Sequence, residues 1–335
     1  MTTTDATSGN STENPAPKKK KARIPVGLDP ISRLNRDLAR AAATMTPWQA
    51  RFLVNLYYTW QEQRIRTDHQ ARALDSAMPV EPHEVIDFFA DQSRILEGQI
   101  KRALKPFAAS SPAGQWMMSI TGIAEVLSSG SLAHIDITKA PTVGHIWRYA
   151  GQDPTSTWGK GEKRPWNADL KVVCFKAGDC FVKNQNHSDD TYGQVYVARK
   201  AEEILRNERG DHEELAAKEL TGRRWRDTTS PTYKAYASGK LPDGRIHLRA
   251  QRYALKLFLS HLHHVMYVYH FNELPPKPYV IDSPLHPTHT HFKEPPNFAP
   301  AEQRLWKDKA RAEAEVGKVA LAKFLAEQPG APSPD

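Results

Sequence analysis

Cysteine and long apolar runs are both scarce in this sequence. The 335-residue chain has two cysteines, and no apolar run approaches the about twenty residues that a helix needs to cross a bilayer. No signal peptide is recognisable. Cys174 and Cys180 fall on one predicted helix, where a rise of about 1.5 Å per residue separates them by roughly 9 Å, beyond the reach of a disulfide. We therefore expect a cytoplasmic protein with reduced thiols and no membrane partner.

Strand patterns, internal repeats and acidic excess are also missing. Apolar residues recur at three- and four-residue spacing from about residue 32 onward, and no long segment alternates apolar with polar residues. The sequence thus predicts a mostly α fold, with a long helical hairpin or coiled-coil arm followed by a helical domain that contains a helix-hairpin-helix unit. The formal net charge is +8 and the pI is about 9.3, which favours a polyanionic partner.

Composition divides the chain into four regions. They are a disordered basic tail (1–30), a helical arm (31–110), a helical domain with a charged, solvated insertion at 184–243 (111–280), and a proline-rich segment with a last helix (281–335). In the tail, Lys18 to Lys21 with Arg23 form either a solvated tract or a non-specific nucleic-acid arm. The arm is interpreted first as a hairpin within one chain. The alternative is a dimerisation arm, and a homo-oligomer is expected on that basis.

Two apolar stripes support the arm. One helix carries Trp48, Phe52, Leu56, Tyr57 and Trp60, and the next carries a buried stripe of Val85, Phe89, Leu96, Ile100 and Leu104. The breaker MPVEP at 78–82 separates them. This arrangement predicts two long antiparallel helices.

A helix-hairpin-helix unit is predicted at 116–137. Gly122 stands at the first glycine position of the turn, and Ala124 occupies the position of the usual second glycine. Such a turn lets the backbone approach a phosphate, and the next helix offers free N–H groups there. The alternative is a plain helical turn.

The loop between Gly151 and Asn167 combines cations with aromatic rings. Trp158 and Trp166 bracket Lys160, Lys163 and Arg164, and Lys171 follows in a helix that Asn167 is placed to cap. Its predicted apolar stripe is Leu170, Val173, Cys174, Ala177, Cys180 and Phe181. Cations bind phosphates and aromatic faces stack on bases, so this mixture favours nucleic acid, whereas the alternative is core tryptophans with exposed lysines.

A basic stripe is predicted on the helix at 245–270. Arg245, Arg249, Arg252 and Lys256 recur at helical spacing, opposite Leu248, Leu255, Leu259 and Leu262. With no acid interleaved, the stripe is interpreted as a phosphate-facing surface, and the alternative is a solvated face.

Histidines are concentrated in 261–291. They are His261, His263, His264, His270, His286, His289 and His291. A metal site would need them on one face, but no Cys or Glu stands in a recognisable metalloenzyme spacing. We predict no metal ligands and no evident cofactor, and keep a histidine-based metal enzyme as the weakest alternative.

Residues 115–270 resemble a known family. Tyr149-Ala150-Gly151-Gln152-Asp153-Pro154, the basic loop that contains a serine, and Asn167-Ala168-Asp169-Leu170-Lys171 look like the C-terminal domain of insertion-sequence transposases of the IS-one-ten class. The segments ITGIAEVLSSGSLAHI, YGQVYVARK and RAQRYALKLFLSHLHHVMYVY also resemble that domain, and the arm resembles its preceding coiled coil.

The resemblance implies DNA transposition or site-specific recombination. It implies a serine nucleophile, for which Ser156 is the matching position, and a Mg²⁺ site of four acids in a RuvC-like front domain. That front domain is not recognisable in this chain, so Mg²⁺ is expected only if a RuvC-like partner supplies the acidic site. The chain is thus read as a transposase-like DNA-binding protein, or as a non-catalytic accessory protein derived from one, with structured RNA as a further partner.

Overall fold

The computed structural model describes residues 34–77, 84–222, 224–276 and 294–298. These residues form eleven α-helices and two 3₁₀ helices with no strand among them, which confirms a mostly α fold. The helices are α1 (Arg36–Ala41), α2 (Pro47–Ala77), α3 (Glu84–Ala109), α4 (Pro112–Met118), α5 (Glu125–His134), α6 (Val143–Tyr149), α7 (Ala168–Lys183), α8 (Thr191–Glu208), α9 (Glu213–Thr221), α10 (Pro231–Ala237) and α11 (Asp243–Phe271). The 3₁₀ helices are Ala42–Thr44 and Ile137–Lys139.

Several predicted features fall outside the described residues. They are the basic tract at 18–23, the breaker at 78–82, the histidines at 286, 289 and 291, and the C-terminal helix. Within the described ranges, no helix combines the length and apolar character that crossing a membrane requires.

Helices α2 and α3 pack antiparallel. Arg64 Nε lies 2.7 Å from Glu97 Oε1, and Arg94 Nη2 lies 2.8 Å from Asp68 Oδ1, so later residues of one helix meet earlier residues of the other. Glu97 is buried, and its hydrogen bond is the largest of the effects that raise the pKa of Arg64. The two helices therefore contact each other in antiparallel orientation.

The buried side chains of α2 and α3 match the predicted stripes in part, since Tyr57, Ile100 and Leu104 are buried. Trp48 and Phe52 are 75% and 65% exposed, and Phe89 is 61% exposed, while Ala50 and Val54 are buried. Helix α2 packs against α5 as well as α3, so two neighbours set its buried face. The side chain of Val85 lies outside the described residues.

The main core surrounds α7 and α11. Phe258 of α11 lies within ring-centroid distances of 5.8 Å from Trp116 and 5.4 Å from both Phe181 and Tyr192. The predicted α7 stripe is buried, except that Cys180 is half-buried. The local periodicity of α7 was therefore sufficient to predict its inner face.

Helix α8 belongs to the core rather than to a solvated insertion. Tyr192 and Tyr196 are buried against α11, because an apolar ridge on α8 accompanies its charged outer face. Helix α8 ends at Glu208 and α9 begins at Glu213, with Gly210 between them at φ of +87°. A positive φ is accessible to glycine at little cost and does not continue a right-handed helix. A second, smaller core then forms around Ala216, Tyr236, Leu241 and Ile246.

Candidate nucleic-acid interface

The loop between α6 and α7 is closed at its base. Asn167 donates its backbone N–H to the Tyr149 carbonyl oxygen at 2.9 Å, and its side-chain amide donates to the Tyr149 hydroxyl at 3.0 Å. Its Oδ1 accepts from the Leu170 N–H at 2.8 Å, which confirms Asn167 as the N-cap of α7. Gly151 leaves α6 with φ of +65°. The loop thus has both ends fixed to adjoining helices.

Hydrogen bonds also order the tip of the loop. Trp158 Nε1 donates to the Glu162 carbonyl oxygen at 2.7 Å, and the Gly159 N–H donates to Glu162 Oε2 at 2.9 Å. Glu162, the one acid between the two tryptophans, is therefore engaged inside the loop. Lys160 and Lys163 stand exposed on either side of it.

Three cations lie over three tryptophan rings. Arg164 Cζ is 4.9 Å from the Trp158 ring centroid, Lys171 Nζ is 4.2 Å from that of Trp166, and Lys256 Nζ is 4.2 Å from that of Trp147. The Trp158 and Trp166 rings stand edge to face with centroids 6.4 Å apart. These six residues, together with Arg252, are called the basic-aromatic face below.

Electrostatic effects link the cations of this face. Desolvation is the main cause that lowers the pKa of Lys171, and the charges of Arg252 and Arg164 lower it further. Desolvation likewise lowers the pKa of Lys256, and the charge of Arg252 adds to that effect, against an opposing effect of Asp153. Since Arg252 disfavours the charged forms of both lysines, an anion bound beside them would relieve this repulsion.

The predicted basic stripe of α11 has two halves that differ in whether acids pair with their cations. Arg245 contacts Glu219 of α9, and Arg249 Nε lies 2.7 Å from Glu203 Oε2 of α8. No described acid forms an ion pair with Arg252 or Lys256. Only the second half of the stripe therefore joins the basic-aromatic face, because distant helices supply acids that the local sequence of α11 lacks.

The predicted helix-hairpin-helix turn at Gly122 lies outside the basic-aromatic face. Gly122, with φ of +86°, sits against Cys180 and Asn184 at the C-terminal end of α7, and an added Cβ there would lie 2.7 Å from Asn184 Nδ2. Lys171 is in the first turn of the same helix, so the rise of about 1.5 Å per residue separates the two regions by roughly 14–20 Å. Ala124 is the N-cap of α5, and Glu125 places a carboxylate in its first turn. The turn and the basic-aromatic face are thus two separate regions.

Ser156 forms part of a turn with Asp153. Its hydroxyl donates to Asp153 Oδ2 at 3.2 Å, while the Thr155 hydroxyl and N–H donate to Asp153 Oδ1. The hydrogen bonds from Thr155 are the largest cause that lowers the pKa of Asp153. An aspartate with several donors is a weak proton acceptor, so this arrangement orders the turn and leaves the serine without strong activation.

His261, His263 and His264 of α11 lie in the core, whereas His270 is exposed. His261 Nδ1 lies 2.7 Å from the Tyr192 hydroxyl, and His263 Nε2 lies 2.8 Å from the Ala140 carbonyl oxygen. Across the part of the chain that the structure describes, no group of three His, Cys, Asp or Glu side chains is arranged to hold a metal ion.

Two residues of this region gave no clear signal in the sequence. Trp147 stacks beneath the Lys256 ammonium and donates its Nε1–H to the Lys256 carbonyl oxygen at 3.1 Å. Arg148 is exposed on α6 and contributes to lowering the pKa of Asp153. The motif HIWRY contains both, and its aromatic and basic residues were the available clue.

Comparison with known proteins finds no family model, no curated protein and no solved structure that matches this chain.

Proposed function

We propose that this protein binds DNA through the basic-aromatic face, contacting phosphates with its cations and using its tryptophans as stacking surfaces. The observation that carries the proposal is the convergence of Arg164, Lys171, Arg252 and Lys256 with no ion-paired acid among the described residues. Elsewhere in the same region, Arg245 and Arg249 are neutralised by glutamates. Such a surface suits backbone contacts that hold nucleic acid without reading its sequence.

The biological setting is proposed from the family resemblance. A transposase-like role in DNA transposition or site-specific recombination fits the loop, because the segments that carry the resemblance are those that build the face. The alternative is a non-catalytic or accessory DNA-binding protein of a mobile element. The turn that engages Ser156 with Asp153 favours this alternative, since it provides no activating base.

Binding is tested by fluorescence anisotropy with two 20-base-pair duplexes of unrelated sequence. Lys171→Gln and Arg252→Gln should each weaken binding to both duplexes alike, because both side chains serve phosphates. Lys183→Gln is the matched control, since Lys183 is on the same helix α7 and pairs with Asp179 at 2.6 Å. Equal losses in Lys171→Gln and Lys183→Gln would show that the face has no special role. A structured RNA hairpin of the same length, measured in parallel, shows which nucleic acid is preferred.

Strand cleavage is tested separately. A suicide DNA substrate that traps a covalent protein–DNA adduct, with Mg²⁺ and any RuvC-like partner present, should give an adduct that is lost in Ser156→Ala if the serine is the nucleophile. Thr157→Ala is the neighbouring control. Retained duplex binding without an adduct supports the accessory role.

Self-association stays a prediction for the α2–α3 arm. Phe52 and Phe89 are exposed there, and light scattering of the purified chain measures whether it forms a homo-oligomer. A monomeric mass at micromolar concentration would remove the dimerisation alternative.

A further inference from the structure

A cleft of about 900 Å³ opens beside the basic-aromatic face. Its walls come from the start of α2, the segment after α5, α6 and the end of α11. Two of its lining residues, Tyr149 and Pro165, also stand at the two ends of the α6–α7 loop. The volume is at the upper end of the range of about 300–1,000 Å³ that is typical of small-molecule sites. The cleft is thus continuous with the proposed DNA surface and large enough for a nucleotide.

An exposed indole stands at the edge of the cleft. Trp48 is 75% exposed, and Arg51 Cζ lies 4.3 Å from its ring centroid. Arg51 is held in place because its Nε donates to the Ala133 carbonyl oxygen at 2.7 Å. A large aromatic side chain left in water beside a fixed guanidinium offers a flat platform and a positive charge together.

The charge of the cleft is positive. Arg51 and Arg148 both line it, and neither forms an ion pair with a described residue. Asp136 is its one acidic lining residue, and the hydroxyl of Thr138 and the ammonium of Lys139, at 3.2 Å, engage that carboxylate. Arg51 lies over the Trp48 ring and Arg148 lines the same cleft, so two guanidinium groups are available to a phosphate attached to a base.

We propose that the cleft binds one unstacked nucleotide, with its base against Trp48 and its phosphate near Arg51 and Arg148. The inference rests on the nucleic-acid binding proposed above and specifies it. A base inside a duplex is not available to a side-chain platform, so the ligand is a nucleotide at a strand end, in a single-stranded segment, or free in solution. Stacking accepts any base, and the cleft therefore has little sequence preference.

The test compares a single-stranded pentanucleotide with the 20-base-pair duplex by fluorescence anisotropy. Trp48→Ala should weaken pentanucleotide binding by about 5- to 100-fold, the usual effect of removing a stacking aromatic, and should leave duplex binding unchanged. Arg148→Gln should weaken pentanucleotide binding as well. Arg66→Gln is the control because Arg66 is exposed on the same helix as Trp48, far along it, and pairs with Glu62.

Each outcome separates the cleft from the proposed DNA surface. The cleft assignment would be overturned if Trp48→Ala left pentanucleotide binding unaffected, or if Arg66→Gln lowered it equally. This holds even if the duplex still binds. Pentanucleotide binding that depends on Trp48 supports the cleft even if the duplex does not bind. Competition by adenosine monophosphate that depends on Trp48 identifies free nucleotides as ligands, whereas its failure identifies nucleotides within a strand. Because Trp48 is exposed, Trp48→Ala should keep the wild-type melting temperature.

Discussion

Glu203 anchors α8 to α11, and replacing it with Gln tests this packing. Its carboxylate is 1% exposed and contacts Arg199, Arg249 at 2.7 Å and His212 at 2.9 Å. Burial raises its pKa, but the hydrogen bonds and charges of Arg249 and Arg199 outweigh burial and lower the pKa overall. The folded protein therefore holds Glu203 ionised. Gln would leave Arg249 without its counter-charge and Arg199 with only the exposed Glu202.

The expected cost follows from how buried the partners are. Removing one member of a buried ion pair costs about 3–5 kcal/mol. Arg199 and Arg249 are 17% and 35% exposed, so water compensates in part and the cost should be near the lower limit, about 3 kcal/mol. Glu202→Gln is the matched control, because the neighbouring Glu202 is 53% exposed and its pairing with Arg199 should contribute about 0–1 kcal/mol.

Urea denaturation followed by circular dichroism at pH 7 measures both variants. With a denaturant slope of about 3 kcal/mol/M, Glu203→Gln should lower the unfolding midpoint by about 1 M. DNA binding by the folded variant should persist, because Arg249 lies outside the basic-aromatic face. A midpoint shift no larger than that of Glu202→Gln would refute the assignment of Glu203 as the anchor.

Other predictions concern titration, the loop and the thiols. Burial, followed by the charge of Arg51, lowers the pKa of His134 from 6.5 to about 4. The stability that the neutral imidazole contributes is fully present above pH 6.5 and is lost as the pH falls toward 4. The loss between pH 7 and 5 is about 2 kcal/mol. Wild type should therefore lose more stability on acidification than His134→Gln. Gly161→Ala adds only backbone strain of about 1 kcal/mol, whereas Gly151→Ala also places a Cβ 2.9 Å from the Lys171 side chain. Thermal melts should therefore show the larger loss of stability for Gly151→Ala. Burial raises the pKa of Cys174 to about 12, so a thiol reagent should modify the half-buried Cys180 first in the native protein, and modification of Cys174 at an equal rate would contradict its burial.

Features set by neighbouring residues in the chain were predictable from the sequence. Asn167 caps α7 through its own Oδ1, and the stripe from Leu170 to Phe181 follows the period of one helix. The loop between Gly151 and Asn167 was also located correctly, because glycine, proline and a cap residue define it locally.

Features set by distant partners were not predictable. The acids that neutralise Arg245 and Arg249 lie 26 and 46 residues away in sequence, so α11 alone looks uniformly basic. The exposure of Trp48 depends on where α5 meets α2. The approach of Arg252 to Lys171 likewise depends on how α11 packs against α7.

The salt dependence of duplex binding tests the central proposal most directly. If Arg164, Lys171, Arg252 and Lys256 each neutralise one phosphate, the slope of log K against log salt concentration should include about −3.6 from these four residues. The double variant Lys171→Gln with Arg252→Gln should reduce the steepness of that slope by about 1.8. A double variant that binds with the wild-type slope and affinity would contradict the assignment of this face to DNA.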